Sequence, residues 1–189
     1  MMRPRLIYCH LIAAVALSSA FAEPIHSDAK QPSWKDEAGG PSPETEFRKS
    51  KDGFGGWLVV TPDNDWKEKW NTSPETVPHF ETADIVERGK RLTVLIFFVG
   101  PAADAKNNVD VTCDIKSIRP DGGLSINEHD LPCLKGQLHG TPSNIRLAGP
   151  VIKFVGEPKD PAGKWMIEVT LKDNQRHLEL PLKTSFTLK

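Results

Sequence analysis

Tyrosine is all but missing from this sequence. The one tyrosine among the 189 residues is Tyr8, inside a segment expected to be removed. The remaining chain lacks the residue that most often anchors recognition surfaces, so aromatic recognition has to come from tryptophan or phenylalanine. A surplus of either charge is missing too. Lys and Arg number 24 against 25 Asp and Glu, for a formal net charge of −1. With the charges mixed and no basic patch, neither nucleic acid nor an anionic membrane is favoured as a partner. Long apolar runs are absent: Leu6 to Leu17 is interrupted by Tyr8, Cys9 and His10, and falls short of the ~20 residues of a spanning helix. Catalytic signatures are absent as well. There is no nucleophile elbow, Walker loop, dinucleotide fingerprint or His-Glu-x-x-His, and no Cys-x-x-Cys that would suggest zinc. No nucleophile, base and orienter assemble from any motif, so neither an enzyme nor a cofactor is expected. No internal repeat is found.

What is present begins with a leader. Arg3 and Arg5 precede the apolar run, and Ala20-Phe21-Ala22 has the form of a cleavage site, which predicts a signal peptide over residues 1–22 and a mature start at Glu23. A transmembrane anchor is the alternative reading. Cys9 leaves with the leader, and Cys113 and Cys133 remain as an even pair in an exported chain. That arithmetic favours one disulfide, closing a loop of about twenty residues, over two buried free thiols. Residues 23–52 are rich in Pro, Gly, Ser and charge, with Gly39-Gly40-Pro41-Ser42-Pro43 at the centre. Such a segment cannot offset its ordering entropy by burial and is expected to be a disordered, flexible linker. Trp34 is the one large apolar residue in its first half, a docking anchor or an idle tail aromatic.

The folded domain is expected over 53–189. Trp57 to Val60 forms a short strand after two glycines. Thr61-Pro62-Asp63 then has the chemistry of a helix start, and predicts a brief helix from Pro62 to Trp70. Leu92 to Val99 is apolar on both faces, as in a central strand covered on both sides. Val109, Val111, Cys113 and Ile115 alternate with polar residues, so Cys113 points inward. Arg119-Pro120-Asp121-Gly122-Gly123 is a turn, and Leu124 to Ile126 pairs back from it. Ile145 to Leu147 and Val151 to Val155 are two short strands. Trp165 to Leu171 and Leu178 to Leu188 alternate with period 2, as an antiparallel pair with one apolar face that a second sheet must cover. About eight short strands and one helix predict an all-β fold, a single antiparallel β-sandwich. A closed barrel is the alternative.

The run Asp160-Pro161-Ala162-Gly163-Lys164-Trp165-Met166-Ile167-Glu168-Val169, followed by Asp173, resembles a recurring strand of Ig-like and macroglobulin-like sandwich domains, in which a loop ending in glycine leads into aromatic-x-Ile/Val-x-Val. Glu87-Arg88-Gly89-Lys90-Arg91-Leu92-Thr93-Val94 resembles the glycine-then-strand entry to an earlier core strand. The chain as a whole is also similar to small secreted proteins of Gram-negative bacteria. The resemblance covers the chain from Gly53 onward. It implies an Ig-like β-sandwich and no shared active site, so no residue roles carry over. Cys113 and Cys133 lie closer together than the inter-sheet cysteines of antibody domains. That points to a staple between neighbouring strands or a loop.

Candidate binding residues are few. Trp66 and Trp70 lie four apart and share a helical face. They offer a stacking platform for a sugar or a peptide pocket, or they pack the helix onto the sheet. Glu157, Lys159 and Asp160 stand on the loop before the last strand pair. His129, Asp130 and His139 are a weak convergence, and solvated loop histidines are the simpler reading. Asp104, Asn107, Asn108 and Asp110 have oxygen ligands at a spacing that can hold calcium, or serve turns. The sequence thus predicts a non-catalytic periplasmic or secreted binding module that engages another envelope protein through loops or a sheet edge. An inhibitor or immunity-type protein acting through the loop from Glu157 to Lys164, and a carrier for a sugar or metal, are the alternatives.

Overall fold

The structure, a computed structural model, describes residues 34, 40, 42–73 and 78–189. The expected leader and most of the expected linker lie outside the described residues. In chain order the elements are β1 (Arg48–Lys51), β2 (Phe54–Thr61), α1 (Trp66–Trp70), β3 (Ile85–Val86), β4 (Arg91–Val99), β5 (Asn108–Ile118), β6 (Leu124–Gln137), β7 (Arg146–Leu147), β8 (Ile152–Val155), β9 (Gly163–Asp173) and β10 (Leu178–Leu188). They form two five-stranded sheets. One runs β1-β2-β4, with β7 and β8 both paired along β4; the other runs β3-β10-β9-β5-β6.

The apolar alternation of β5, β9 and β10 turns one face of the second sheet inward. Val111, Cys113 and Ile115 meet Ile167, Val169 and Leu171, and Leu180, Leu182 and Phe186 continue the layer. The first sheet supplies the cover with Phe54, Leu58, Val94, Ile96 and Phe98. Gly56 permits the close approach of β2: a β-carbon there would lie 2.7 Å from both Leu171 Cδ1 and Leu182 Cδ1. Each fully buried aliphatic or aromatic side chain in this layer contributes about 1.5–3 kcal/mol by transfer from water. The chain is therefore the all-β sandwich that the period-2 pattern predicts. As expected, β4 is buried on both faces from Leu92 to Val99.

The structure differs from the sequence reading in several places. The sheet begins at Arg48, ahead of the expected domain start at Gly53, because β1 pairs antiparallel with β2 from Arg48 opposite Trp57 to Lys51 opposite Phe54. Its residues, Arg-Lys-Ser-Lys, carry no apolar signal. There are ten strands among the described residues rather than about eight, and β3 runs parallel to β10, so the second sheet is mixed. The helix is shorter than Pro62 to Trp70. Thr61 Oγ1 accepts the amide of Asp63 at 3.1 Å, a local turn that delays the helix to Trp66.

The arm expected over Leu124 to Ile126 is the start of the fourteen-residue β6. Its alternation is hidden by three register shifts against β5. One of them doubles His129 and Asp130 opposite Asp114, with Asp130 at a φ of 52°, the geometry of a β-bulge. Another makes Cys133 the extra residue opposite the step from Val111 to Thr112. Pro132 sits at that bulge on an edge strand, where proline removes no interior ladder bond.

The expected disulfide is present. Cys113 and Cys133 are bonded across β5 and β6 with their Cα atoms 6.1 Å apart, and both are buried. The bond staples neighbouring strands and not the two sheets. Chain after β7 closes the seam between the sheets instead. The amide of Ala148 donates to Ile96 O at 2.8 Å, and the next amide, of Gly149, donates to Cys133 O at 2.9 Å. Consecutive N–H groups are thus tied to opposite layers.

Candidate functional site

Two loops at one end of the sandwich are zipped together. Gly89 N donates to Gly156 O at 2.8 Å, and Gly156 N donates back to Lys90 O at 3.3 Å. Gly156 is closely enclosed: a β-carbon there would lie 2.6 Å from Leu188 Cδ1 and 3.3 Å from Arg88 Cα. Arg88 then reaches across to three carbonyls of the longer loop. Nη1 donates to Glu157 O at 2.6 Å and to Pro158 O at 3.2 Å, and Nη2 donates to Asp160 O at 2.9 Å. Guanidinium is suited to this because its donors form a planar fork that no ammonium reproduces. Within the loop, Asp160 Oδ2 accepts the amide of Glu157 at 2.9 Å, and Asp160 N donates to Glu157 O at 3.1 Å. The buried Trp165 holds the loop from beneath by donating its indole N–H to Pro161 O at 3.1 Å. Phe154 packs against Trp165 and Phe186 with centroids 4.9 and 4.6 Å away. The loop's base is therefore continuous with the core.

Sequence reasoning singled out Glu157, Lys159 and Asp160. The structure places all three on this pinned loop, with Glu157 and Lys159 exposed and joined at 3.3 Å. Trp66 and Trp70 stand on a different element, α1. Sequence reasoning missed Arg88, whose contacts lie about seventy positions away and leave no local signal. It also did not single out the exposed apolar residues at this end. Ile85, Leu124 and Val155 are three of the five exposed large apolar side chains among the described residues. They stand where β3 meets the end of β10, where β6 leaves the turn after β5, and where β8 ends opposite Arg91. That turn also touches the loop: a β-carbon on Gly163 would lie 3.2 Å from Pro120 Cβ.

The tryptophans belong to a second surface, the outer face of the first sheet. Trp66, Trp70 and Phe80 pack over Val59, Leu95 and Phe97, and Trp70 meets Phe97 at a centroid distance of 5.3 Å. The helix is thus packed onto the sheet by its two indoles. Asp63 fixes its approach, accepting from Lys69 Nζ at 2.8 Å and from Glu81 N at 3.1 Å. Burial on its own would raise the pKa of Asp63; these donors outweigh it and hold the carboxyl below its ordinary range. Trp34, the isolated tail aromatic, packs on the same face. It meets Trp57 edge-on at 5.8 Å and donates to Lys49 O at 3.2 Å.

The remaining candidates are in use structurally. Asp104 Oδ1 accepts the amides of Lys106 and Asn108, both at 2.8 Å, and Asn107 Nδ2 donates to Leu138 O. The Asp104 bonds are turn bonds, those from Asn108 depress its pKa, and the Asn107 bond ties the turn to the end of β6. Asp110 faces Lys135 at 3.4 Å. His129 lies beside Asp114 at 3.7 Å, whereas His139 lies in a loop that Arg146 pins through the carbonyls of His139, Thr141, Pro142 and Asn144. The two histidines are not brought together. Among the described residues no group of three or more His, Cys, Asp or Glu is placed to hold a metal ion, and no helix is long and apolar enough to cross a membrane.

No protein-family model matches the chain, and no curated protein matches it. Solved structures resemble it distantly. A family 123 glycoside hydrolase from Clostridium perfringens is 12% identical with a TM-score of 0.41, over 71% of this chain and 27% of the hydrolase. The chain thus spans about a quarter of that enzyme's length. A CARDB domain from Pyrococcus furiosus, solved with di-metal ions, is 11% identical with a TM-score of 0.35, covering 77% of this chain and 97% of the domain. A Niemann-Pick type C2 protein from Japanese carpenter ant is 11% identical with a TM-score of 0.32, covering 70% and 89%.

Proposed function

We propose that this chain is a non-catalytic, Ig-like binding module, and that its working surface is the end of the sandwich where the loops of Arg88 and Glu157 meet. The observation that carries this reading is the triple hold of Arg88 on the carbonyls of Glu157, Pro158 and Asp160. A loop held in one shape before contact loses little freedom on binding, so more of its interaction free energy appears as affinity. The exposed Glu157 and Lys159 supply charge, and Ile85, Leu124 and Val155 supply apolar contact at the same end. That mixture suits a protein surface better than a small ligand. The partner in this reading is another protein of the bacterial envelope. The disulfide belongs to the chemistry of oxidising compartments, which supports the leader reading and a periplasmic or secreted location.

The test is an affinity capture from periplasmic extract with three baits: the wild type, Glu157→Lys with Lys159→Glu, and Arg88→Ala. A partner held by the wild type and lost by both variants supports the reading. Equal capture by all three removes it. A rigid projecting loop also fits an inhibitor of an envelope enzyme, and recovery of a hydrolase as the partner favours that form.

A further inference from the structure

Beside α1, on the outer face of the first sheet, lies an open depression of about 200 Å³ with the indole of Trp66 as one wall. Its floor comes from β4 and β8. Thr93 pairs with Lys153, and Arg91 is two residues along the same face of β4. Directly opposed Cβ atoms in such a pair lie about 5 Å apart and diagonal neighbours about 7–8 Å apart. Lys67 of the helix completes a ring of three cations, and Glu68 is the one carboxylate in the lining. The ring therefore has an excess of two positive charges on a chain whose formal net charge is −1. Some surface cations are matched, as Lys69 is with Asp63, Lys172 with Asp114 and Lys183 with Glu168; the feature of this depression is that three unmatched ones line a single space. Among the described residues, Arg91, Lys153 and Lys67 make no ion pair. Lysine commonly guards an edge strand, which accounts for Lys153 on β8. It does not account for Arg91 on a central strand and Lys67 on the helix converging on the same space.

We propose that this depression binds a carboxylate-bearing sugar ring, of the kind found in acidic glycans. The volume lies below the ~300–1,000 Å³ of pockets for drug-sized ligands, so it suits one ring of an exposed chain. Trp66 offers an apolar face to the C–H side of the ring. The guanidinium of Arg91 and the ammonium of Lys153 face the carboxylate. Asn64 and the Thr93 hydroxyl offer hydrogen bonds to ring hydroxyls. A bare anion would use the cations and make no use of the part of the indole that faces the depression. The depression shares no lining residue with the Arg88 loop, although Arg91 pairs with Val155; capture of the protein partner by Arg91→Gln/Lys153→Gln at the wild-type level tells failure of one reading from failure of the other.

The test is an NMR titration that follows the indole N–H of Trp66 in the disulfide-bonded protein at low ionic strength. The ligands are a trimer of galacturonic acid, the matching trimer of uncharged galactose, inorganic phosphate and a short polyglutamate. A saturable shift with the galacturonate trimer alone is expected. Its affinity should fall at least tenfold in Arg91→Gln/Lys153→Gln, whose replaced side chains are exposed. Trp66→Phe, which keeps the helix packed and is followed through the backbone amides of Lys67 and Thr93, should weaken it severalfold with the melting temperature nearly unchanged. Equal binding of the galactose trimer, full competition by phosphate or polyglutamate, retained affinity in the charge variant, or no saturable shift at millimolar ligand would each overturn the proposal.

Discussion

The indole nitrogen of Trp34 lies 3.0 Å from the point where a β-carbon on Gly55 would sit. Gly55 is therefore the floor of a slot that a tail residue fills, walled on its other side by Val99, whose Cγ2 is 2.9 Å from the same point. Gly55→Ala should lower stability by about 1–3 kcal/mol through overpacking. In a Trp34→Ala background the same change should cost less, because one of the two crowded neighbours is gone. A double-mutant cycle by urea unfolding reads the coupling. Additive effects would mean that Trp34 does not occupy the slot in solution.

Gly100 tests a stricter constraint. Its φ is +68°, and a β-carbon there would lie 1.9 Å from the carbonyl oxygen of Gly53, a backbone atom with no rotamer to escape into. The two glycines meet where Arg176 ties this end together, donating to Gly100 O, Asp52 O and the buried carboxylate of Asp173. Gly100→Ala should cost more than about 3 kcal/mol. A loss below about 1 kcal/mol in thermal unfolding would contradict the described packing of these two strand ends.

Much of this fold is legible in the sequence because period 2 is a strong signal when one face is buried. Trp165 to Leu171 and Leu178 to Leu188 read as strands, and so they are. Leu92 to Val99 is apolar on both faces, and both faces are covered. The Cys113–Cys133 bond follows from cysteine arithmetic. Elements whose residues are polar or out of phase are hidden. Arg48 to Lys51 forms a strand through its backbone pairing with β2 and without an apolar face. Three bulges scramble the alternation of β6, and the pairing of Ile85 and Val86 with Thr187 and Leu188 spans about a hundred positions. The candidate site was half visible. Glu157, Lys159 and Asp160 stand out as a charged loop, but nothing local marks Arg88 as its clamp.

The disulfide should be worth about 2–5 kcal/mol. Cys113→Ser/Cys133→Ser removes the staple across a bulged edge pair and leaves hydroxyls in apolar surroundings. The melting temperature should fall by about 5–15 °C for a domain of this size. Reductant should reproduce the fall in the wild type and leave the variant unchanged. Alkylation of both cysteines in denatured, unreduced protein would contradict the bond.

Acid should loosen the outer face of the second sheet. Lys172 lies 2.7 Å from Asp114 and 2.8 Å from Asp130, and His129 approaches Asp114 at 3.7 Å. Burial on its own would raise the pKa of Asp114. The bonds from Lys172 and from the Asp130 amide outweigh it and hold the carboxyl below its ordinary 3.8. A depressed folded-state pKa contributes stability that is present above the unfolded value. That contribution is lost as pH falls through the folded one. The loss should therefore begin below about pH 5 and continue past 3.8. Asp114→Asn should cost about 1 kcal/mol at pH 7 and progressively less toward pH 3. A gap between wild type and variant that stays constant across that range would contradict the ion pair.

In the proposed function, the Arg88-pinned end of the sandwich is the surface that meets a protein partner. Its most direct measurement is photo-cross-linking in the periplasm, with a photoreactive residue placed at Lys159 in one protein and at Ser143, in the loop pinned by Arg146, in another. One discrete cross-linked species is expected from position 159. That species should vanish with Arg88→Ala, and position 143 should give none. Cross-links of equal yield at both ends, or only at 143, would contradict it.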